Sequence, residues 1–523
     1  MSKPKLIIYW SRRDFRLTDN PALISSINAA NTQGVPMIGL YILDPKLLDD
    51  ESLNIGSARR LFLAHSLADF VHKFNDFRIC INTPKEIFSV LAKNFDLEVF
   101  ANSDIEPYAI EREKTILEEL EEQGGKFNLF KDQLSITPDV LTGAGKLYSV
   151  FTPYKRAIWN DFLALKSLPR VNPKTAITEK VDFELNLQQY GLKSLEIPEL
   201  IEDTATAIYD LIKQPDILSL DNGLKINVSE LMQNLNIEPI AKSGFPYSNE
   251  EEALSHLGQF LDFRILHYKE TRDNLSLEAS LGNQNSNMST ALKWGLISVR
   301  TIVAKIVSQY GLEAINSNES ISHYISELIW REFYRYILYH HPHLLNQEFQ
   351  TKFQGTIEWE KGGKALEYFV AWIQGKTGYP IVDAAMMEIA KSGVMHNRAR
   401  MIVASILTKN LGIDWRWGQA YFRLMLLDLD EASNNGGWQW AGSVGVDPKP
   451  IRIFNPYLQA ENYDKTNSYQ KKWLTDNQSK YKPLIEHSLA RDLAIRRFNR
   501  ARGIDDIKQE GEEYNIESNA RIF

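Results

Sequence analysis

The stretch LIIYWSRRDFRLTDNP, residues 6–21, opens with a run of hydrophobic residues and closes in a charged turn. Such an uninterrupted run, Leu6–Trp10, suits a strand buried on both faces, and similar runs recur at Pro36–Leu43, Arg78–Ile81, Glu98–Ala101 and Phe127–Phe130. Helical patterns such as Leu61–Phe74 and Tyr108–Gln123 separate them. Strands alternating with helices predict an α/β domain with a parallel sheet over residues 1–135, offering a ligand crevice at the carboxyl ends of its strands. The turn after the first strand lacks Gly-x-Gly-x-x-Gly, so something other than NAD is expected there.

Residues 136–250 are polar and loop-rich and contain GAGKLYSVFTPYKR (143–156); they read as a long interdomain connection with some helix. From there to residue 502 the texture is helical. Glu251–Leu261, Leu296–Tyr310, Ser322–Tyr339, Ala365–Trp372, Ile381–Lys391, His396–Lys409 and Trp417–Leu427 all space their apolar residues near 3.6, which predicts an all-α domain over 251–502. Residues 503–523 form a polar, acidic tail with little to fold around. No internal repeat is visible.

With 523 residues, 44% hydrophobic and 24% charged, the chain has ordinary globular composition and the length of two or three domains. A single cysteine, Cys80, excludes an internal disulfide framework and a Cys-rich metal site, and no metal is expected. The opening MSKPKLIIYW has too short an apolar run for a signal peptide, and no stretch reaches the ~18–20 apolar residues of a membrane span. These features predict a soluble, cytoplasmic monomer. A net charge of −8 argues against nucleic acid as a partner unless basic groups gather locally. RDLAIRRFNRAR (491–502), with five arginines, is the candidate for such a basic rim.

Three segments concentrate chemistry. In SELIWREFYRYIL (326–338), helical spacing puts Glu327, Trp330, Arg331 and Tyr334 on one face, a pattern that equally suits an aromatic core stripe with a surface ion pair. MHNRARMIVASILTKN (395–410) puts Asn397 and Met401 on one helix face with Arg400 nearby. DLDEASNNGGWQW (428–440) crowds acids, amides, a Gly pair and two Trp together. It reads as a loop, and loops dense in polar groups beside large aromatics tend to be binding sites.

The motifs GKTGYPIVDAAM (375–386), MHNRARM (395–401), IDWRWG (413–418), NNGGWQW (434–440) and RIFNP (452–456) together resemble the FAD-binding domain of the cryptochrome/photolyase family, specifically its cyclobutane-dimer photolyases. WSRRDFRLTDNPAL (10–23) and DIEPYAIERE (104–113) are similar to the antenna domain of the same proteins, so the resemblance runs from residue 5 to about 500. It implies FAD held in the helical domain, with Tyr268, Asn285, Ser286, Asn287, Met288 and Ser289 at the phosphates and Arg331 also on the cofactor. Arg400 would pair with Asp428 beside the flavin, Asp430 would contact ribose or flavin, and Asn434 would face flavin N5. An amide has no titratable proton to supply there, which favours the reduced anionic flavin that photolyases use.

The same resemblance implies UV-damaged DNA as partner and a lesion pocket of Glu327, Trp330, Asn397, Arg398, Met401 and Trp440. Photolyases are among the enzymes known to extrude their target from the duplex. Trp330 and Trp440 would stack on the two pyrimidines, a contact worth roughly 1–3 kcal/mol per base. Arg272, Arg398 and Gln459 would touch the DNA backbone, and Trp438, Trp415 and Trp359 would relay electrons to oxidised flavin. Arg12, Arg59, Asp104, Glu106 and Lys293 would hold an antenna chromophore, deazaflavin or methenyltetrahydrofolate, with a flavin antenna or an empty site as the alternatives. The implied reaction is redox-neutral: the dimer receives an electron from excited, reduced flavin, splits, and returns it. A cryptochrome-type blue-light photoreceptor or a (6-4) photolyase is the alternative, and Asn434, Asn397, Met401 and a tail of only about twenty residues favour the dimer-splitting enzyme.

Overall fold

The computed structural model describes residues 3–48, 53, 55–177, 185–276, 285–446, 451–475 and 481–504. The expected tail, 503–523, lies almost wholly outside the described residues. Strands β1 (Lys5–Ser11), β2 (Met37–Leu43), β3 (Phe77–Ile81), β4 (Asp96–Asn102), β5 (Lys126–Phe130) and β6 (Ser194–Leu195) form one sheet in the order β5-β4-β1-β2-β3-β6. The first five are parallel, as expected. β6 runs antiparallel along β3, pairing Ile79 with Leu195. It comes from the stretch that promised only loop and helix, because two residues leave no periodic signal, and it covers what would otherwise be an open sheet edge.

Burial follows position in the sheet. β1, at the centre, is buried at every residue after Lys5, which is why its sequence is continuously apolar rather than alternating. β5, expected to be buried, is an edge strand with Lys126 and Leu129 exposed. The order steps from β1 out to β2 and β3 and then returns to β4 on the other side of β1, so the turns leaving β1 and β4 part and open a crevice between them.

From Glu250 onward the described chain is helical, in agreement with the predicted fold class. Buried ion pairs join the two halves. Arg16 and Arg300 reach the same Asp132 oxygen at 2.5 and 2.7 Å, and Arg300 Nε also reaches Asp19 at 2.8 Å. Glu250 accepts the backbone N–H groups of Leu17 and Thr18 at 2.9 Å each. Charges removed from water in this way stay only where each has partners, and these do. Among the described residues no helix is long and apolar enough to cross a membrane.

The two halves come close at Gly295, the left-handed cap (φ 66°) of the Ser289–Trp294 helix. A Cβ there would lie 2.0 Å from the Arg13 carbonyl oxygen in the turn after β1. Gly295→Ala should therefore cost about 2–4 kcal/mol, from combined left-handed strain and backbone overlap. Urea unfolding should show the midpoint falling with little change in slope.

Candidate functional site

Three helices supply most of the wall of a cavity with a volume of about 300 Å³. The first is Glu319–His340, started by Asn318, whose side chain accepts the N–H groups of Ser320 and Ile321. Its Glu327, Trp330, Arg331 and Tyr334 all line the cavity, so the face predicted from spacing faces a void rather than solid core. The second, Asn397–Ser405, is capped by His396 Nδ1 accepting from the Arg398 N–H at 3.2 Å, and it contributes Asn397, Arg400 and Met401. The third corrects an expectation. Residues read as a loop are helical from Glu431 to Ala441, capped by Asp430, whose Oδ1 accepts the Ser433 N–H at 3.0 Å. The Gly pair signalled close approach instead of a break: a Cβ on Gly436 would meet the Tyr334 ring at 2.1 Å, while Gly437 lines the cavity with open space where its Cβ would be.

Most of the predicted site residues meet in this one cavity. Tyr268, Ser286, Met288 and Ser289 line it, together with Asp428, Asp430, Asn434, Trp438 and Trp440. Arg400 and Asp428 form the expected ion pair, at 2.8 and 3.0 Å. Asn285 and Asn287 are not part of the wall. Asn285 instead meets His396 Nε2 at 2.8 Å, and the Asn287 carbonyl accepts the Tyr247 hydroxyl.

The residues expected on the DNA backbone are also outside the cavity, and they are buried. Arg272 pairs with Glu327 and meets His323 Nε2 at 2.9 Å, Arg398 pairs with Asp273 at 2.8 Å and lies over the Tyr463 ring, and Gln459 is equally enclosed. The basic segment forms the His487–Ala501 helix, where Arg491, Arg497 and Arg500 each sit beside a carboxylate, which thins the predicted basic rim.

Burial sets the electrostatics. It pushes the Glu327 carboxyl up to about 7, against the opposing pull of Arg272. It brings Arg331 down to about 10, helped by neighbouring Arg335, and His396 down to about 4. Asp430 goes the other way: burial would raise it, but Arg335, Arg331 and Lys293 hold it far below the usual carboxylate range.

The residues present fit FAD. Arg331 and Lys293 put cationic groups on the wall for phosphates, Arg400 with Asp428 offers a polar pair beside the flavin, Ser286 and Ser289 supply hydroxyls, and Gly437 leaves room. The buried Trp438 Nε1 has no hydrogen-bond partner among the described residues. Gly418 makes space for that indole, since a Cβ there would fall 2.1 Å from its ring. Trp438 touches Phe422 and Trp372, Trp415 is wholly buried, and Trp359 is half-buried against Phe498.

A second cavity, about 160 Å³, occupies the crevice beyond β1 and β4. Arg12, Arg59, Asp104, Glu106 and Lys293 all line it, as the resemblance implied. Sequence reasoning passed over Arg13, which grips Asp104 at 2.5 and 2.6 Å and Glu106 at 2.6 Å. Its place next to Arg12 in the SRRDF turn was the available signal. Lys293 and Leu429 line both cavities and form a shared partition. Burial, with Arg13 nearby, lowers the Lys293 ammonium to about 8.

Residues 324–500 match the family model described as "FAD binding domain of DNA photolyase", and residues 7–174 match "DNA photolyase". Over 495 residues the chain is 36% identical to the deoxyribodipyrimidine photo-lyase of Synechococcus sp., covering 93% of this chain and 90% of that one. It is 31% identical over 549 residues to that of Neurospora crassa, covering 94% and 81%. The fold is similar to a bacterial class III photolyase from Agrobacterium tumefaciens, with a TM-score of 0.73 and 27% identity across 96% of this chain and 99% of that one.

The raised Glu327 carboxyl makes a stability prediction. Its folded-state value of about 7 lies above the ordinary 4.5, so the folded protein holds a proton that the unfolded chain gives up, and stability is lost as pH rises between those values. Glu327→Gln removes this loss. Thermal melts at pH 5 and pH 8 should show the variant gaining on wild type as pH rises, by up to about 3 kcal/mol.

Proposed function

Because the chain belongs to the cryptochrome/photolyase family, we propose that it is a light-driven, FAD-dependent photolyase that splits cyclobutane pyrimidine dimers in DNA. One observation carries this reading: cofactor-holding groups (Arg331, Arg400 with Asp428, Asn434) and lesion-holding groups (Glu327, Trp330, Asn397, Met401, Trp440) surround a single cavity. A light sensor without repair activity has no need of the second set. A (6-4) enzyme needs a histidine free to move a proton at the lesion. His396 does not line the cavity; its Nδ1 caps a helix, its Nε2 meets Asn285, and burial keeps it neutral.

Bound in reduced form and excited by light, FAD supplies an electron that the dimer accepts and returns once the two bonds between its rings have broken. The protein's part is geometry and electrostatics. Trp330 and Trp440 stack on the extruded bases and exclude water. Glu327, its carboxyl raised by burial, reaches the polar edges of the pyrimidines: the acid form donates to a carbonyl, and the carboxylate form accepts from a ring N–H. Asn434, anchored by donation to the Gln419 carbonyl at 3.1 Å, presents an amide without a titratable proton. Arg331, Ser286 and Ser289 hold the cofactor's polar parts. Trp438, Trp415 and Trp359 serve the separate reaction that reduces oxidised flavin.

On this reading the 1–135 domain carries an antenna, deazaflavin or methenyltetrahydrofolate, in the crevice gripped by Arg13 and Lys293. The 251–502 domain carries catalysis and binds the damaged DNA. The protein works as a cytoplasmic monomer.

Purified protein with reduced FAD should restore thymine dimers in an oligonucleotide under blue light. Equal binding of dimer and undamaged DNA, with no repair in light, would sink the assignment. Glu327→Ala should lower repair about three- to tenfold with flavin still bound, the cost of one lost hydrogen bond. Trp438→Phe should block photoreduction of oxidised flavin and spare repair by chemically reduced enzyme.

A further inference from the structure

The segment GAGKLYSVFTPYKR has no role in the site described so far. Its last residues open the Phe151–Leu163 helix, which packs along Glu319–His340 and contributes nothing to the cavity wall. The Phe151 ring lies flat on the Trp330 indole, with centroids 3.6 Å apart and planes 6° from parallel. Phe333 meets Phe151 edge-on at 5.9 Å, and Tyr334 flanks Trp330 at 5.5 Å. One turn further along the same helix, Lys155 Nζ donates to Ser326 Oγ at 2.6 Å, beside Glu327. Two contacts four residues apart thus brace the stretch of helix that presents Glu327 and Trp330.

We propose that Phe151 is a positioning residue for lesion binding, a backing plate that fixes the plane of Trp330. Trp330 lines the cavity and Phe151 does not, so the covered indole face is turned away from the ligand and the cavity side is left for stacking. A half-buried indole on a helix surface would otherwise sample several ring orientations, and ordering it would count against binding. A coplanar ring pressed on one face removes those orientations before the extruded base arrives. Phe151 touches no substrate in this role and acts only through Trp330. The inference rests on the dimer-binding reading above.

The test uses the full-length, FAD-loaded protein, a fluorescent oligonucleotide bearing one thymine dimer and its undamaged twin, with binding followed in the dark. Phe151→Ala and Phe151→Leu should weaken dimer binding about five- to tenfold while leaving undamaged-DNA affinity and the flavin spectrum unchanged. Phe151→Tyr, which keeps the flat ring, should stay within about twofold of wild type. In repair assays the loss should fall on KM, with kcat changed less than about twofold, because the chemistry at the dimer is untouched. A residue that only fills the core would lower flavin retention and both DNA affinities together, and that outcome overturns the proposal. So does FAD-loaded Phe151→Leu binding dimers as tightly as wild type, or more tightly, the latter meaning that Phe151 occupies the lesion's own stacking place. Should Phe151→Ala fail to hold flavin, Phe151→Leu decides. If wild type does not prefer dimer DNA, the functional reading fails and takes this inference with it; if wild type and Phe151→Leu both prefer it equally, only this inference fails.

Discussion

The ion pair between Arg335 and Asp430 is the contact on which both cavities lean. Arg335 is buried in the C-terminal part of the Glu319–His340 helix and donates to Asp430 Oδ2 through Nε at 3.0 Å and through Nη2. Its Nη1 donates at the same time to the Gln133 carbonyl and side chain, at 2.6 and 2.7 Å, just beyond β5. Asp430 uses its other oxygen to cap the Glu431–Ala441 helix. One guanidinium and one carboxylate therefore fix two walls of the larger cavity and tie them to the sheet domain. Removing either would leave an uncompensated charge in the interior, a costly defect. The surrounding guanidinium and ammonium groups keep Asp430 ionised despite its burial, so the link does not titrate in the neutral range.

That hub also explains how a chain of net charge −8 can present positive sites to anionic ligands. Arg13, Arg331, Arg335, Arg400 and Lys293 are drawn inward around the cavities, and several are matched by carboxylates that line the same cavities, so the cationic groups are concentrated inside rather than spread over the surface. Lys293, on the partition, is weakly matched, with Glu106 at 3.6 Å, and burial lowers its ammonium. Whole-chain charge averages over this arrangement and is a poor guide to what the interior binds.

Much of this was legible in the sequence, and what was missed has physical causes. Continuous apolar runs located β1 to β5 because central parallel strands are buried on both faces, and 3.6-residue spacing located the long helices. β5 kept the apolar signature while lying at an edge, since composition does not report strand order. β6 is too short to carry a pattern. The stretch 428–440 was mistaken for a loop because Gly-Gly and paired amides are weak helix formers; tertiary contact with Tyr334 and the Asp430 cap override that preference. The face of Glu327, Trp330, Arg331 and Tyr334 was correctly placed on one side of a helix, but spacing alone could not tell a core stripe from a cavity wall. Arg13 went unnoticed because, on spacing, either arginine of the SRRDF turn could have turned inward, and only the pairing of β1 with β4, whose following turns face one crevice, brings it to Asp104 and Glu106.

Three features that look anomalous by packing rules fall on the larger cavity. A glutamate whose carboxyl burial raises, an indole N–H without a hydrogen-bond partner among the described residues, and a glycine with empty space where its Cβ would be are each unfavourable in a solid core. They sit beside helices whose other faces are packed tightly enough that Gly418 and Gly436 tolerate no Cβ at all. Close packing on one side and unmet polar groups on the other is what a preformed ligand site requires: the rigid side fixes geometry, and the unmet groups gain most when a ligand supplies their partners. The molecule thus spends its packing on holding three helices still and leaves the unsatisfied chemistry where they converge.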